Sequence, residues 1–467
     1  MSAGRRDTQG AAQPEAPTIA FTAAALRRGE TTSVGLTDAC LQRIALHDSG
    51  INAFIAVLGE QAREQARAAD RELAAGHDRG PLHGIPISLK DIVDVQGTAT
   101  TAASRVRFEH VATADAAIVA RLRQAGAVLI GKTNLHEFAL GTTNEESAFG
   151  AVHHPLDESR SPGGSSGGSA ASVLAGMAYA SVGTDTGGSV RIPAAACGLV
   201  GLKPSSGEVS TEGVVPLSTT LDTVGPLCRS VDDARILFDA LLGDEAVTGA
   251  SVREDGQTLR GKRFGALSGY FTAMLDPQIA MRFQEVRTLL VGAGATVEDV
   301  ALPHAVDIAT VYLHIVLAEA AAYHATALDS RADAYTEGVR LRLEMGRYIL
   351  AEDYLRALRG REVLTQEVDL ALQEHDALLL PTLAIAAPKL GVPTIRLGGG
   401  EEPVRNVMLR LTQLFNITGH PAITLPCGLT QDGLPVGVQV VGASRRTADL
   451  LSLARAIEDQ VGPGKSG

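Results

Sequence analysis

Pro162-Gly163-Gly164-Ser165-Ser166-Gly167-Gly168-Ser169 opens the most unusual stretch of this chain, and Gly183-Thr184-Asp185-Thr186-Gly187-Gly188-Ser189-Val190-Arg191 follows it, with Ser189 standing 24 residues after Ser165. From Ser161 to Pro204, Gly, Ser and Ala dominate and lysine appears only at the far end. Consecutive glycines carry no Cβ, so neighbouring backbone N–H groups can converge on one point, which is what a developing oxyanion requires. The small residues from Ser169 to Ala180 allow close backbone packing and predict a buried helix that holds both loops in register. The first loop contains a formal G-x-S-x-G, yet a nucleophile elbow needs a hydrophobic strand directly before it, and His154 to Pro162 is polar and interrupted by proline. The G-K-[ST] ending of a phosphate-cradling loop is absent. Taken alone, the stretch also reads as a flexible Gly/Ser connector.

Working outward, helical patterns alternate with short apolar runs. Ala116 to Gln124 precedes Ala127–Ile130, Met281 to Val291 precedes Thr296–Val300, and Arg361 to His375 precedes Ala377–Leu380. Thr37 to Leu46 and Glu60 to Ala75 read as further helices. The alternation predicts an α/β architecture around a largely buried sheet. We expect a loose N-terminal leader over 1–18, one compact domain over 19–461 and a tail over 462–467. Within the domain, a catalytic core spans about 80–230 and a variable substrate-pocket region about 243–400. With 467 residues, 45% of them hydrophobic and 20% charged, the chain can bury a large core and is not a disordered protein. A formal charge of −12, no Trp and 4% aromatics disfavour nucleic acid and anionic lipid as partners. No window reaches about 18 uncharged apolar residues, so a cytoplasmic protein without a membrane partner is expected. Oligomeric state leaves no trace in the sequence.

Neither serine has an obvious histidine partner. Among twelve histidines only His153–His154 are adjacent, and His136-Glu137 fails as H-E-x-x-H because position 140 is Leu. Cys40, Cys197, Cys228 and Cys427 lie far apart and read as ordinary buried thiols. A serine nucleophile without histidine needs another base, and a desolvated lysine serves because burial disfavours its charged form. Only six lysines are present, and one, Lys90, ends the apolar run Gly84-Ile85-Pro86-Ile87-Ser88-Leu89-Lys90-Asp91. The same lysine also fits a snorkelling strand end, and its neighbour Asp91 would ordinarily hold the ammonium charged.

The two glycine loops, extended by Pro193-Ala194 and Gly198-x-x-Gly201-x-Lys203-Pro204, resemble the signature of the amidase-signature hydrolases. The Lys90 run, Gly131-Lys132-Thr133-Asn134-x-x-Glu137-Phe138, Asn416-Ile417-Thr418-Gly419-His420-Pro421-Ala422 and Gly433-Leu434-Pro435-Val436-Gly437-Val438-Gln439 fit the same family. The resemblance implies a single large domain with a central mixed β-sheet covered by helices on both faces. It implies a Ser–cis-Ser–Lys triad, with Ser189 as nucleophile, Ser165 on a cis peptide as proton relay and Lys90 as neutral base. It further implies an oxyanion hole from the N–H groups of Thr186, Gly187, Gly188 and Ser189. Ser166, Asp185 and Arg191 are expected as structural support, with Asp185 and Arg191 bracing the glycine loop; Lys132 and Lys203 are expected to be structural as well. Ala139, Leu140 and Gly141 are expected to approach the acyl pocket.

From these residues a stand-alone serine hydrolase is expected, cleaving the C–N bond of a small-molecule amide, and by the same chemistry carbamates and esters, in the manner of aryl-acylamidase-like and urethanase-like members. No cofactor or metal is implied, so activity should be indifferent to a chelator. One alternative is the glutamine-hydrolysing A subunit of a tRNA-dependent amidotransferase, against which Leu409 stands where an acidic residue would precede Asn416-x-x-Gly419. Another is a non-catalytic binding protein on an amidase scaffold, which would have no need of a buried amine beside two hydroxyls.

Overall fold

Two of the three apolar runs form strands buried on both faces, whereas Thr296–Val300 forms a largely exposed strand at the edge of the sheet. In the computed structural model, which describes residues 17–243 and 258–462, the strands are β1 (Phe54–Val57), β2 (Pro86–Lys90), β3 (Val128–Thr133), β4 (Ala180–Asp185), β5 (Val200–Lys203), β6 (Thr223–Cys228) and β7 (Arg263–Leu267). They continue with β8 (Thr296–Val300), β9 (Ala377–Pro381), β10 (Thr394–Leu397), β11 (Gly400–Pro403), β12 (Ala422–Leu429) and β13 (Pro435–Val441). Eleven of them make one sheet in the order β1-β3-β2-β4-β6-β5-β12-β13-β9-β7-β8, while β10 and β11 pair separately. The sheet is mixed: β2 runs parallel to β3 and β4, and β7 to β8 and β9, whereas β4–β6, β5–β6 and β12–β13 are antiparallel.

Because successive strand residues point to opposite faces, a doubly covered strand is apolar along its length except where a polar side chain finds a buried partner. β9 shows this directly. Ala377 and Leu379 enter one hydrophobic core, and Leu378 and Leu380 enter the other. The covering helices are α1 (Ile19–Arg27), α2 (Ser33–Ile51), α3 (Gly59–Ala74), α4 (Ala117–Gln124), α5 (Gly167–Leu174), α6 (Arg191–Ala196) and α7 (Val231–Leu242). They continue with α8 (Pro277–Gly292), α9 (Ile308–Arg331), α10 (Glu337–Gly346), α11 (Ala351–Glu374), α12 (Val404–Leu409), α13 (Leu414–Ile417) and α14 (Thr447–Val461).

The expected α/β class and helix-covered mixed sheet are present. Boundaries differ where capping decides them. The small-residue helix stops at Leu174, because Gly176 turns left-handed at φ +69°, and Ala180 already begins β4. The helix expected from Arg361 begins ten residues earlier, at Ala351, on a charged stretch whose buried face shows only at Ala357, Leu364 and Val368. Thr18 opens the first helix, its hydroxyl capping α1 by accepting from the Phe21 N–H; most of the expected leader and tail lies outside the described residues. Ala305–Ala334, which contains α9, is among the described residues the one helical stretch long and apolar enough to cross a membrane, but half of its most apolar 18-residue window is buried within the protein. Ile308, Ile315 and Ala320 of α9 lie in the second core, as befits a core helix.

Candidate active site

Lys90 ends β2 with its side chain fully buried. Its Nζ donates to Ser165 Oγ at 2.8 Å and to Thr184 Oγ1 at 2.9 Å. Burial lowers the ammonium to about 7, with Asp222 and Asp185 pulling weakly the other way. The expectation that Asp91 holds Lys90 charged is corrected. At the strand end the two side chains part, and Asp91 instead pairs with Lys132 at 2.8 Å and accepts from Thr101, all within the core. Asp91 therefore neutralises a structural lysine and leaves Lys90 to two hydroxyls.

The Gly164–Ser165 peptide is cis. Ser165 O accepts from His136 N–H at 3.1 Å, which sets the segment containing Ala139, Leu140 and Gly141 beside the serine. That segment is tightly folded, with Phe138 and Ala139 at φ +49° and +60° and Gly141 flat against the His136 ring, so that a Cβ there would lie 2.1 Å from the ring. His136 itself pairs with Glu146 at 3.0 Å and takes no part near Lys90. No strand precedes the first loop, so the elbow geometry is absent there. The four cysteines are buried free thiols.

Ser189 precedes α6 and is 5% exposed, while Ser165 is wholly buried. Ser166 N–H donates to Ser189 O at 3.3 Å and its hydroxyl to Thr184 O at 3.3 Å, tying the two loops together. Among the described residues, no hydrogen bond joins the Ser165 and Ser189 hydroxyls, and the N–H groups of Gly187, Gly188 and Ser189 have no acceptor. Glycine is required here. A Cβ on Gly187 would meet the Tyr312 hydroxyl at 2.3 Å, and one on Gly188, at φ +138°, would meet Thr412 Oγ1 at 2.2 Å.

Beneath the loop lies a buried ion pair. Arg191 forms a fork to Asp185 at 3.0 and 2.8 Å and gives its other donors to Thr412 O, Gln439 Oε1 and Asn416 Oδ1. Burial alone would push the Asp185 carboxyl up, but Arg191 and Asn416 hold it down at about 2. Two further residues were invisible as site members in the sequence. Thr184 is the second partner of Lys90, and Asp222 accepts from the Thr186 hydroxyl at 2.6 Å and from the N–H groups of Leu217 and Ser218. Burial pushes Asp222 up to about 6 against those hydrogen bonds. No spacing rule links Asp222 to the glycine loop; only the β4–β6 ladder brings them together. Among the described residues, no cluster of three or more His, Cys, Asp or Glu could hold a metal ion.

Comparison with known proteins agrees with this geometry. The family described as Amidase matches residues 35–451. A solved structure described as an amidase superposes with a TM-score of 0.90 at 38% identity, covering 96% of this chain and 100% of that one. The chain belongs to the amidase family. The A subunit of glutamyl-tRNA(Gln) amidotransferase from Anaeromyxobacter sp. (strain K) is 39% identical over 475 residues, covering 92% of this chain and 94% of that protein. The solved structure of the corresponding protein from Thermotoga maritima superposes with a TM-score of 0.78 at 34% identity, covering 96% of this chain and 95% of that one.

These relatives correct the expectation of a stand-alone amide- or carbamate-cutting enzyme, and with it the aryl-acylamidase and urethanase comparison: the curated relatives are amidotransferase A subunits. Leu409 weighs less against such a protein than its position in the sequence suggests. It is buried on α12 and packs toward Gly187, so its identity reports on packing behind the glycine loop.

Proposed function

We propose that this chain is a glutamine-hydrolysing A subunit of a tRNA-dependent amidotransferase, acting through an acyl-enzyme on Ser189. The observation that carries the reading is full-length similarity to curated A subunits, at 39% identity over 92% of the chain. Lys90 is the neutral base: it takes a proton through Ser165 from Ser189, and Ser189 attacks the side-chain amide of glutamine. The oxyanion is held by the N–H groups of Thr186, Gly187, Gly188 and Ser189. The proton returns along the relay to the departing ammonia, and water releases glutamate. A lysine brought to about 7 suits both directions of transfer. Ser166, Asp185 and Arg191 keep the loops in place, and Ala139, Leu140 and Gly141 line the acyl side.

The domain plan goes with this reading: a core of about 80–230 does the chemistry, and the region of about 243–400 shapes the pocket. A charge of −12 gives no basic footprint, so tRNA is bound by a partner protein, while this chain supplies ammonia in the cytoplasm. The test is release of glutamate and ammonia from glutamine by the purified chain, alone and with candidate partner proteins. Ser189→Ala should abolish it, together with labelling by a fluorophosphonate. A chain inert to glutamine in both settings would overturn the reading.

A further inference from the structure

Glu319 stands on α9, outside the strands and loops that carry Lys90, Ser165 and Ser189, yet its carboxylate holds a turn that leads to them. Its oxygens accept from Ser218 Oγ at 2.6 Å, Thr220 N–H at 3.1 Å, Thr220 Oγ1 at 2.7 Å and Tyr354 Oη at 3.0 Å, with Thr219 Oγ1 more distant at 3.4 Å. None of these donors is a cation. A carboxylate that fills its lone pairs with neutral hydroxyl and N–H donors, most of them from one turn, fixes that turn in place rather than balancing a charge.

The far side of the same turn belongs to the glycine loop. Asp222 closes the turn by accepting from the N–H groups of Leu217 and Ser218, and it also accepts from the Thr186 hydroxyl at 2.6 Å. Ser218 is therefore held from two sides, its N–H by Asp222 and its hydroxyl by Glu319. Tyr312, two helical turns before Glu319 and on the same face of α9, touches the loop directly: a Cβ on Gly187 would meet its hydroxyl at 2.3 Å. One helix face thus backs Gly187 by contact and Thr186 through Ser218 and Asp222. Ile308, Ile315 and Ala320 seat this helix in the second core, which makes it a rigid reference for the loop.

We propose that Glu319 is a positioning residue for the oxyanion hole: through Ser218 and Asp222 it sets Thr186, and with it the direction in which the N–H groups up to Ser189 point. The inference rests on Ser189 as nucleophile but not on glutamine as substrate, because the loop meets the carbonyl of any acyl group. The attraction these donors offer a developing negative charge depends steeply on distance and angle, while binding of the neutral ground state draws on the whole pocket. Loosening the turn therefore slows bond formation and spares binding.

A fluorophosphonate reads this without a choice of substrate. Ser189 Oγ forms a bond to phosphorus, fluoride leaves with its bonding pair, the hydroxyl proton passes through Ser165 to Lys90, and the phosphoryl oxygen takes the place of the oxyanion. Saturation kinetics separate reversible binding, KI, from the bond-forming step, kinact. Glu319→Ala should lower kinact about tenfold and leave KI within about twofold of the parent. Glu319→Gln keeps an oxygen for Ser218 and the Thr220 N–H and offers its NH2 to hydroxyls that can accept, so it should recover most of the rate. Ser218→Ala cuts the same link from the other side and should also lower kinact, and the double variant should be no slower than the slower single one. If Glu319→Ala does not fold, Ser218→Ala decides, a lower kinact supporting the inference and a parental one overturning it. A folded Glu319→Ala with parental kinact, a loss confined to KI, or full additivity in the double variant overturns it as well. Labelling that persists in Ser189→Ala would remove the nucleophile assignment and the inference with it, an outcome distinct from each of these.

Discussion

The signature loops between Ser161 and Pro204 and the helical region around α9 to α12 follow opposite rules of construction. In the first and the strands beside it, polar side chains are buried with partners: Lys90 rests on two hydroxyls, Asp91 on Lys132, and Asp185 on Arg191 and Asn416. In the second, large apolar side chains face outward, Tyr348 at 84% exposure with Leu350 and Leu355 nearby, while the buried Nε of Arg405 has no partner. Saturated polar networks in a low-dielectric core fix atoms to within a fraction of an ångström, which proton transfer requires. Surfaces and unpaired charges do the converse, leaving room for what binds.

The contrast is sharpest at Lys90. Lys90→Ala should lower amide hydrolysis by several orders of magnitude, since one group both activates Ser189 and protonates the leaving amine. Matched aryl esters should suffer less, because a phenoxide leaves with little protonation. In the parent, only neutral Lys90 accepts a proton, so the rate should fall as pH drops below about 7 and be flat above it. Equal losses on amide and ester would remove the acid half of the role.

Next in size is the brace. Arg191→Ala leaves Asp185 charged and buried without its counter-ion, and should cost about 3–5 kcal/mol of stability, visible as a large fall in melting temperature. A melting temperature within a degree of the parent would show that the saturated network is not what holds the loop.

A smaller effect is expected at Asp222. Asp222→Asn removes a negative charge that raises the Lys90 pKa, so the acidic limb of the pH–rate profile should move to lower pH. The plateau should fall about tenfold, because the amide keeps one oxygen for the Leu217 and Ser218 N–H groups and turns its NH2 toward the Thr186 hydroxyl, which can then no longer donate there. A limb that stays in place would remove Asp222 from the electrostatics of the lysine. The smallest effect belongs to the other region. Tyr348→Ser should change stability by less than about 0.5 kcal/mol, read by denaturant unfolding, and a larger loss would mean that this face is covered in solution.

The glycine loops, the lysine run and the Asp185–Arg191 pair stand out in the sequence, glycine where a Cβ would collide and lysine inside an apolar strand, but the residues alone leave a flexible connector and a snorkelling lysine open, and it is the family resemblance that implies their roles. The α/β class was legible because strands covered on both faces read as near-continuous apolar runs, as at Ala377–Pro381. Helix ends such as Leu174 and Ala351 were less so, since caps and burial of a narrow face decide them. Which way Asp91 turns, that Thr184 stands beside Lys90 and Asp222 beside Thr186 of the glycine loop, and that the Nε of Arg405 is buried without a partner were decided only by tertiary structure. Sequence determines what each side chain can do. The solvent it loses and the charge it meets depend on contacts between residues up to hundreds of positions apart, and those exist only once the sheet has closed.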